Sequence, residues 1–311
     1  MNIGIQALAH DQVGEICDLF ATVYGHPIDL AHWNWKYLEG PRIGSVNLVA
    51  LTEQGECIGH IGASVFPGIG QKSAYAMAQI CDVMVRRDVR GGVGDHSVYP
   101  LLVRALQKEL LAKFSNVFAY GFPGDRPFRL GERLGFYRFI YRCEMFQISH
   151  SVRPAAQAMR WSVRPSDWDA DCMDRLWRKH SSSDRPLQVS RTGAYMNWRY
   201  RGCPGRTYQV WILRSFFRDV GWLVTCAQPD GVIQVVDALI PSVEAAAGAG
   251  AALGRALIDS GMPMPVTVTS WMREFAPDGH QTPIIATEFK VGQWNDHIRA
   301  PDFQPGDTDV Y

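Results

Sequence analysis

A glycine-rich segment between an apolar strand and a helix is the part of the chain best suited to bind an anion. Residues 79–85 are mainly apolar, residues 86–94 contain three arginines and three glycines, and a helical pattern begins at Val98. A helix N-terminus presents free backbone N–H groups and the positive end of the helix dipole, and glycines let a ligand approach the backbone. The segment therefore predicts an anion site, and phosphate is the commonest ligand of such sites.

Charged side chains beside this segment could take part in binding. Arg86, Arg87 and Arg90 could contact a phosphate directly, or they could form a solvated surface cluster. His96 lies at the predicted helix start, where the helix dipole favours the neutral imidazole. A neutral imidazole could donate a hydrogen bond to phosphate, or it could cap the helix.

The composition limits the classes of function. The chain has 311 residues, 47% of them hydrophobic and 20% charged, which is enough apolar material for two domain cores. Lys plus Arg equals Asp plus Glu at 31 each, so we expect no nucleic-acid partner. The seven cysteines form no CxxC pair, and we expect neither a disulfide framework nor a metal site.

The sequence predicts a cytoplasmic protein that does not bind a membrane. Residues 1–11 lack the basic segment and long apolar run of a signal peptide. No stretch approaches the roughly 18 apolar residues that a membrane span requires.

Hydrophobic periodicity predicts the order β-α-α-β-β-β-α-β-α-β-β for the first half. Strands are predicted at residues 2–8, 46–51, 57–66, 79–85 and 117–122, with one or two final strands over residues 137–149, and helices at residues 11–25, 30–37, 98–114 and from Pro127. This order is not a regular alternation, which disfavours a doubly wound nucleotide-binding fold. We predict a mixed sheet with helices on both faces.

The second half repeats a motif of the first. Residues 34–37 read Asn-Trp-Lys-Tyr and residues 197–200 read Asn-Trp-Arg-Tyr, and Pro41 and Pro204 follow at the same spacing. Each copy precedes a strand, which indicates an internal duplication. The motif could line an acceptor site. Its presence in both copies favours a structural role instead, in which its aromatic side chains pack the second helix against the sheet.

The second copy has no counterpart of the glycine segment, because residues 241–260 lead directly into an alanine-rich helix. We therefore expect it to keep the fold without the phosphate site. The predicted domains are residues 1–150 and residues 157–311, joined by a linker at residues 151–156.

Residues 3–149 resemble the GNAT superfamily of N-acetyltransferases. The resemblance rests on the succession of strand, glycine loop, long helix, strand, Pro-Gly turn and the tripeptide Leu134-Gly135-Phe136. The duplication resembles tandem, double-domain members with a degenerate second copy. The implied fold class is α+β (mixed α/β), with tandem acyl-CoA N-acyltransferase-like domains, each a mixed, mainly antiparallel sheet flanked by helices.

The resemblance implies acetyl-CoA as acyl donor and no metal. The strand at residues 81–85 would splay from its neighbour and pair with the pantetheine arm, and the loop amides would hold the pyrophosphate. The cofactor-binding residues are then Val83, Met84, Val85, Arg90, Gly91, Gly92, Val93 and Gly94. The family's loop pattern can be aligned on Gly92 and Gly94 or on Arg90, and we favour the glycines because no side chain replaces their close approach.

The catalytic residues are less clearly indicated. The family's usual acid is a tyrosine four residues before the glycine of Leu-Gly-Phe, and Gly131 stands there. Asp82 could act as a base or bind the incoming amine, or it could be a structural strand residue. Tyr120 or Tyr99 could replace the acid, and water could also protonate the thiolate. We take Asp82, Tyr120 and His96 as the candidate catalytic residues.

The expected function is transfer of an acetyl or other short acyl group from CoA to a primary amine of a small molecule, sugar or peptide by direct attack. The alternatives are a catalytically inactive acyl-CoA-binding or scaffold protein and, more remotely, an aminoacyl-tRNA-dependent transferase. The acidic tail at residues 294–311 could be disordered, or it could fold into a cleft between the domains.

Overall fold

The computed structural model describes residues 2–70, 73–91, 97–148, 160–180, 186–261, 268–270, 279–296 and 301–308. The α-helices of this part of the chain are α1 (Val13–Tyr24), α2 (Leu30–Tyr37), α3 (Val98–Lys113), α4 (Asp125–Arg133), α5 (Ala170–His180), α6 (Gly193–Met196) and α7 (Val243–Asp259), and a π-helix, Asn197–Arg201, follows α6. The strands are β1 (Gly4–Ala7), β2 (Gly44–Leu51), β3 (Cys57–Gly70), β4 (Ser73–Val85), β5 (Val117–Gly121), β6 (Tyr137–Ile148), β7 (Trp161–Ser166), β8 (Gln188–Val189), β9 (Tyr208–Ser215), β10 (Arg218–Ala227), β11 (Ile233–Leu239), β12 (Val268–Ser270) and β13 (Gly279–Phe289).

The chain forms two compact units that are discontinuous in sequence. The first comprises Met1–Tyr141, Pro186–Ser190 and Ile284–Pro301, and the second comprises the remaining segments. The late segments of the first unit contribute β8 and most of β13. The predicted linker at residues 151–156 lies outside the described residues. No helix of the described residues is long and apolar enough to cross a membrane.

The first unit is a mixed sheet in the order β1-β2-β3-β4-β5-β13, with β8 paired to β3. Its pairs are antiparallel, except that β4 and β5 run parallel. Along β2, Val49 packs with α1 and α2, whereas its neighbours Leu48 and Ala50 pack with α3. Since successive strand residues point to opposite faces, helices cover the sheet on both sides, as predicted.

Local sequence signals explain where α1 and α2 lie. Gly25 ends α1 in the left-handed conformation at φ +83°, as its sequence position predicted. Asp29 caps α2, because its carboxylate accepts a hydrogen bond from the His32 N–H at 2.7 Å. Trp33 and Tyr37 on α2 are 2% and 1% exposed, so α2 is fixed firmly against the sheet.

The second unit repeats the order of elements seen in the first. β7, α5, α6, the meander β9–β10–β11, α7 and β12 correspond in order to β1, α1, α2, β2–β3–β4, α3 and β5. The last pair is again parallel, with β12 beside β11. This correspondence supports the internal duplication.

Two buried arginines fix the C-terminal segment to the second unit. Residues 303–308 are buried, and Arg199 donates to the carbonyl oxygens of Gly306 and Thr308. Arg191 is 2% exposed and donates to both Asp237 and Asp307, each at 2.6 Å. Burial opposes the positive charge of Arg191, but the two carboxylates outweigh it and raise the pKa of Arg191. This part of the acidic tail is therefore an ordered element of the unit; residues 309–311 lie outside the described part.

We predict that Arg191→Met lowers the free energy of unfolding by about 3–5 kcal/mol, because it leaves two buried carboxylates without their cation. Lys113→Met is the control, since it removes an exposed pair with Glu109 on α3 and should cost at most about 1 kcal/mol. Urea denaturation of both variants measures the difference. Equal stabilities would show that Arg191 does not hold this segment.

Candidate functional site

The parallel pair β4–β5 opens part of the way along its length. Its ladder runs from Ala76↔Val117 to Gln79↔Tyr120, and within the described residues no later pair follows. β4 nevertheless continues to Val85. Residues 80–85 therefore present a strand edge towards the β5 side, and such an edge can pair with an extended ligand.

The backbone groups at this edge can be assigned. The Arg86 N–H donates to the Ile58 carbonyl of β3 at 2.9 Å, so by strand alternation the groups of Val83 and Val85 point away from β3. Both carbonyls already accept hydrogen bonds, that of Val83 from the Tyr24 hydroxyl at 3.3 Å and that of Val85 from Arg90 Nε at 2.7 Å. The N–H groups of Val83 and Val85 have no ladder partner within the described residues. They are the donors that a ligand could use.

A β-bulge at Asp82 shapes this edge. On β3 and β4, His60 pairs with Met84 but Gly62 pairs with Cys81, so β4 carries one extra residue. Asp82 has φ +49°, a left-handed conformation that is strained for a residue with a side chain. A bulge bends its strand and increases the local twist, which separates β4 from β5 beyond the ladder.

The side chain of Asp82 is held from α2. Its carboxylate accepts from Lys36 Nζ and from the Tyr37 hydroxyl, each at 2.7 Å. Asp82 is 7% exposed, and both of its oxygens are occupied. This geometry favours a structural role in fixing the bulge, and the predicted role as a base remains a prediction.

His60 holds the backbone of Asp82. Its Nδ1 lies 2.9 Å from the Asp82 carbonyl, and its Nε2 lies 3.3 Å from the side chain of Asn47. Burial lowers the pKa of His60 to about 4, so the ring is neutral near pH 7 and carries one N–H. Because a carbonyl can only accept, Nδ1 carries the proton. Nε2 then carries none and lies 3.3 Å from Oδ1 of Asn47, and exchanging the oxygen and nitrogen of the Asn47 amide would place a donor there.

The second unit repeats the central contact. The Tyr200 hydroxyl donates to Asp237 at 2.9 Å, as Tyr37 does to Asp82, and the pairing of β10 with β11 also shifts register between Val224 and Thr225. In the second unit Arg191 supplies the cation that Lys36 supplies in the first. A contact present in both units supports a structural role for the repeated motif, in packing a helix against the sheet.

The two units differ in the connection that follows the bulged strand. Twelve residues, 86–97, join β4 to α3, whereas three residues, 240–242, join β11 to α7. The shorter connection enters α7 through a Ser242 cap, whose hydroxyl accepts from the Ala245 N–H at 3.3 Å. A loop able to surround a phosphate therefore fits only the longer connection.

Part of the predicted loop lies within the described structure. Gly91 has φ +95°, and the exposed Arg90 turns back towards β4. Arg86 pairs with Asp88 at 2.8 Å and Glu56 at 3.4 Å, so its charge is partly neutralised. The remaining predicted residues of the loop lie outside the described residues: Gly92, Val93, Gly94 and His96.

The ring of Tyr137 occupies the space beside Gly131, the position at which the acid was expected. A Cβ added to Gly131 on α4 would lie 2.2 Å from Cδ2 of Tyr137, so the Tyr137 ring requires glycine there. The Tyr99 hydroxyl is buried beside the Tyr137 side chain. Burial, and then the proximity of Tyr137, raises the pKa of Tyr99, which therefore stays a neutral donor. Sequence reasoning did not identify Tyr137, although it directly follows Leu-Gly-Phe and Gly131 lacks a side chain.

Tyr120 lies at the last pair of the β4–β5 ladder and is 1% exposed. Its ring contacts that of Phe122 edge-on, with the centroids 5.8 Å apart. Val83, Met84 and Val85 lie on the stretch of β4 beyond this ladder. Tyr120 and this part of the predicted cofactor site therefore both lie where β4 and β5 separate. No group of three or more potential metal ligands occurs among the described residues.

Solved structures share this fold. They include a probable N-acyltransferase from Enterococcus faecalis (TM-score 0.68, 12% identity, covering 93% of this chain and 71% of that one). GCN5-related N-acetyltransferases from Anabaena variabilis (0.65, 13%, 92% and 72%) and Kribbella flavida (0.64, 15%, 92% and 70%) are also similar. This chain thus spans about seven tenths of their length.

These similarities establish the fold. The chain has the fold of the GNAT superfamily, as the resemblance predicted, and the predicted fold class is confirmed. No family model matches the sequence, and no curated protein matches it.

The buried His60 predicts an acid-sensitive stability. Between pH 6.5 and about 4 the unfolded chain binds a proton at this position that the folded protein does not, so stability falls as the pH falls. We expect a loss of about 2 kcal/mol between pH 7 and pH 5 from this residue. Urea denaturation of wild type and His60→Gln at both values tests it, and the same pH dependence in the variant would contradict the assignment.

The contact between Gly131 and Tyr137 predicts a coupled pair. Gly131→Ala should lower the free energy of unfolding by about 1–3 kcal/mol through overpacking. In a Tyr137→Leu background the same change should be neutral or stabilising, because alanine is a better helix former by about 1 kcal/mol. A double-mutant cycle measured by urea denaturation gives the coupling. Additive effects would exclude the close contact.

Proposed function

We propose that the protein transfers an acetyl or other short acyl group from CoA to a primary amine by direct attack. The observation that carries this proposal is the open edge of β4, where the N–H groups of Val83 and Val85 point towards the side on which β5 has separated. The pantetheine arm of CoA is an extended chain with amide groups, and such a chain can add to a strand edge as another strand would.

The chain's own residues would position the donor. The Val83 and Val85 N–H groups would donate to the carbonyls of the bound molecule, and a donor aimed at the thioester carbonyl also stabilises the oxyanion that forms during attack. The loop at residues 86–94 and the start of α3 would hold the pyrophosphate, with Gly91, Gly92, Val93 and Gly94 allowing close approach and Arg90 adding charge. When bound, CoA supplies the activated acyl group.

Proton transfer is assigned to three candidates, Asp82, Tyr120 and His96. The contacts of Asp82 support a positioning task as well, since Lys36, Tyr37 and His60 fix the bulge that aims the Val83 N–H. Tyr120 lies where the strands separate, and Tyr99 is a second neutral phenol able to donate a proton to the leaving thiolate.

The domains have different tasks in this proposal. Residues 1–150 hold CoA, residues 151–156 link the copies, and residues 157–311 shape the acceptor side or act structurally. The three-residue connection between β11 and α7 supports a degenerate second copy. The acceptor is a small amine, sugar or peptide rather than a nucleic acid, in keeping with the balanced charge. The seven free cysteines fit a cytoplasmic location.

Calorimetry with acetyl-CoA tests the proposal. We expect wild type to bind, and Gly92→Glu to reduce the affinity at least tenfold, because a carboxylate in the loop repels the pyrophosphate. Gly14→Glu is the matched control, since Gly14 lies exposed on α1 with open space around its Cα. Absence of binding to wild type, or equal affinities for the two variants, would overturn the proposal.

A catalytically inactive acyl-CoA-binding protein is the second candidate, and the Tyr137 ring beside Gly131 favours it, because no side chain at position 131 can serve as the acid. Release of CoA from acetyl-CoA in the presence of a panel of primary amines distinguishes the two. Turnover with any amine supports the transferase, whereas tight binding without turnover supports the binding protein.

A further inference from the structure

A basic pocket of about 430 Å³ lies on the second unit. We define it by Arg164 of β7, Arg214 of β9, Asp219 of β10, Phe217 in the β9–β10 turn, and Arg175 and Lys179 of α5. These elements correspond in order to β1, β2, β3 and α1 of the first unit. The pocket therefore lies on β7, β9 and β10 rather than on β11, the strand that corresponds to β4.

The pocket concentrates positive charge. Asp219 pairs with Arg164 at 2.9 Å and with Arg214 at 3.2 Å. Arg175 and Lys179, one helical turn apart on α5, have no ion pair within the described residues. Four cations and one carboxylate leave a surplus of three positive charges in a chain whose overall charge is balanced. Uncompensated like charges in one pocket repel each other, and a bound anion would remove this repulsion.

The charged side chains are placed to reach a ligand. Arg164 and Arg214 are 46% and 32% exposed, and their pairing with Asp219 fixes two guanidinium groups beside the cavity. Arg214 also donates to the Phe217 carbonyl at 3.0 Å, which ties the turn to the pocket. Guanidinium groups held in this way suit the oxygens of phosphate, which they can bind through two N–H groups.

The rim of the pocket is apolar and aromatic. Phe217 is 89% exposed, although burial of such a ring would be favourable. A ring exposed beside an arginine-lined cavity is a surface on which a planar ligand group can stack.

We propose that the basic pocket binds a small soluble molecule with at least two phosphate groups and a planar ring, of the nucleoside diphosphate class. One phosphate group carries about two negative charges, so a surplus of three positive charges calls for more than one such group. Arg164, Arg175, Lys179 and Arg214 contact the phosphates, and Phe217 stacks on the ring.

Calorimetry on the full chain with inorganic pyrophosphate and with ADP tests the proposal, in wild type and in Gly92→Glu. The added carboxylate repels phosphate groups from the loop after β4, and Gly92 is not among the residues that line the pocket, so binding that persists in this variant belongs to another site. We expect both probes to bind Gly92→Glu, ADP more tightly than pyrophosphate, and both more weakly as salt rises. Absence of this binding overturns the pocket proposal and leaves the acyltransferase proposal untouched.

Variants on α5 locate the binding. Arg175→Gln combined with Lys179→Gln should weaken pyrophosphate binding at least tenfold, and glutamine keeps helix propensity, so folding is preserved. Arg178→Gln is the matched control, because Arg178 lies on the same helix outside the pocket. Phe217→Ala should weaken ADP binding but leave pyrophosphate binding unchanged. Equal affinities of the double variant and the control would overturn the site, and equal loss of both probes in Phe217→Ala would overturn the stacking role.

Discussion

The hydrogen-bonded carboxylate of Asp82 is the interaction on which the geometry of the first unit depends. A left-handed residue inside a strand is unfavourable by about 1–3 kcal/mol and persists only where surrounding contacts hold it. Lys36, Tyr37 and His60 supply those contacts from α2 and β3. They couple the packing of a helix on one face of the sheet to the direction of the backbone at its open edge, which connects the hydrophobic core to the candidate site.

The second unit shows which of these features belong to the fold and which to the site. Tyr200 and Asp237 reproduce the tyrosine–aspartate contact in a unit whose bulged strand is followed by only three residues before α7. The contact therefore supports the sheet independently of any phosphate loop. The twelve-residue connection after β4 is the feature that the second unit does not repeat.

Much of the fold could be predicted from the sequence because its signals are local. α1 and α2 lie where periodicity indicated helices, at residues 11–25 and 30–37, and the order of elements follows from such signals. Contacts between distant residues could not be predicted. The pairing of Arg191 with Asp307 and that of Arg164 with Asp219 in the basic pocket join residues whose separation in sequence carries no pattern.

The place of β13 in the first unit has a consequence for biosynthesis. β5 pairs with β13 through Thr287↔Gly121, Glu288↔Tyr120 and Phe289↔Ala119, so the partner of an early strand is translated near the end of the chain. At about 5–20 residues per second, the ribosome needs roughly ten to thirty seconds to reach β13 after β5 has emerged. During that interval the nascent first unit carries an unpaired strand edge, to which another chain could pair.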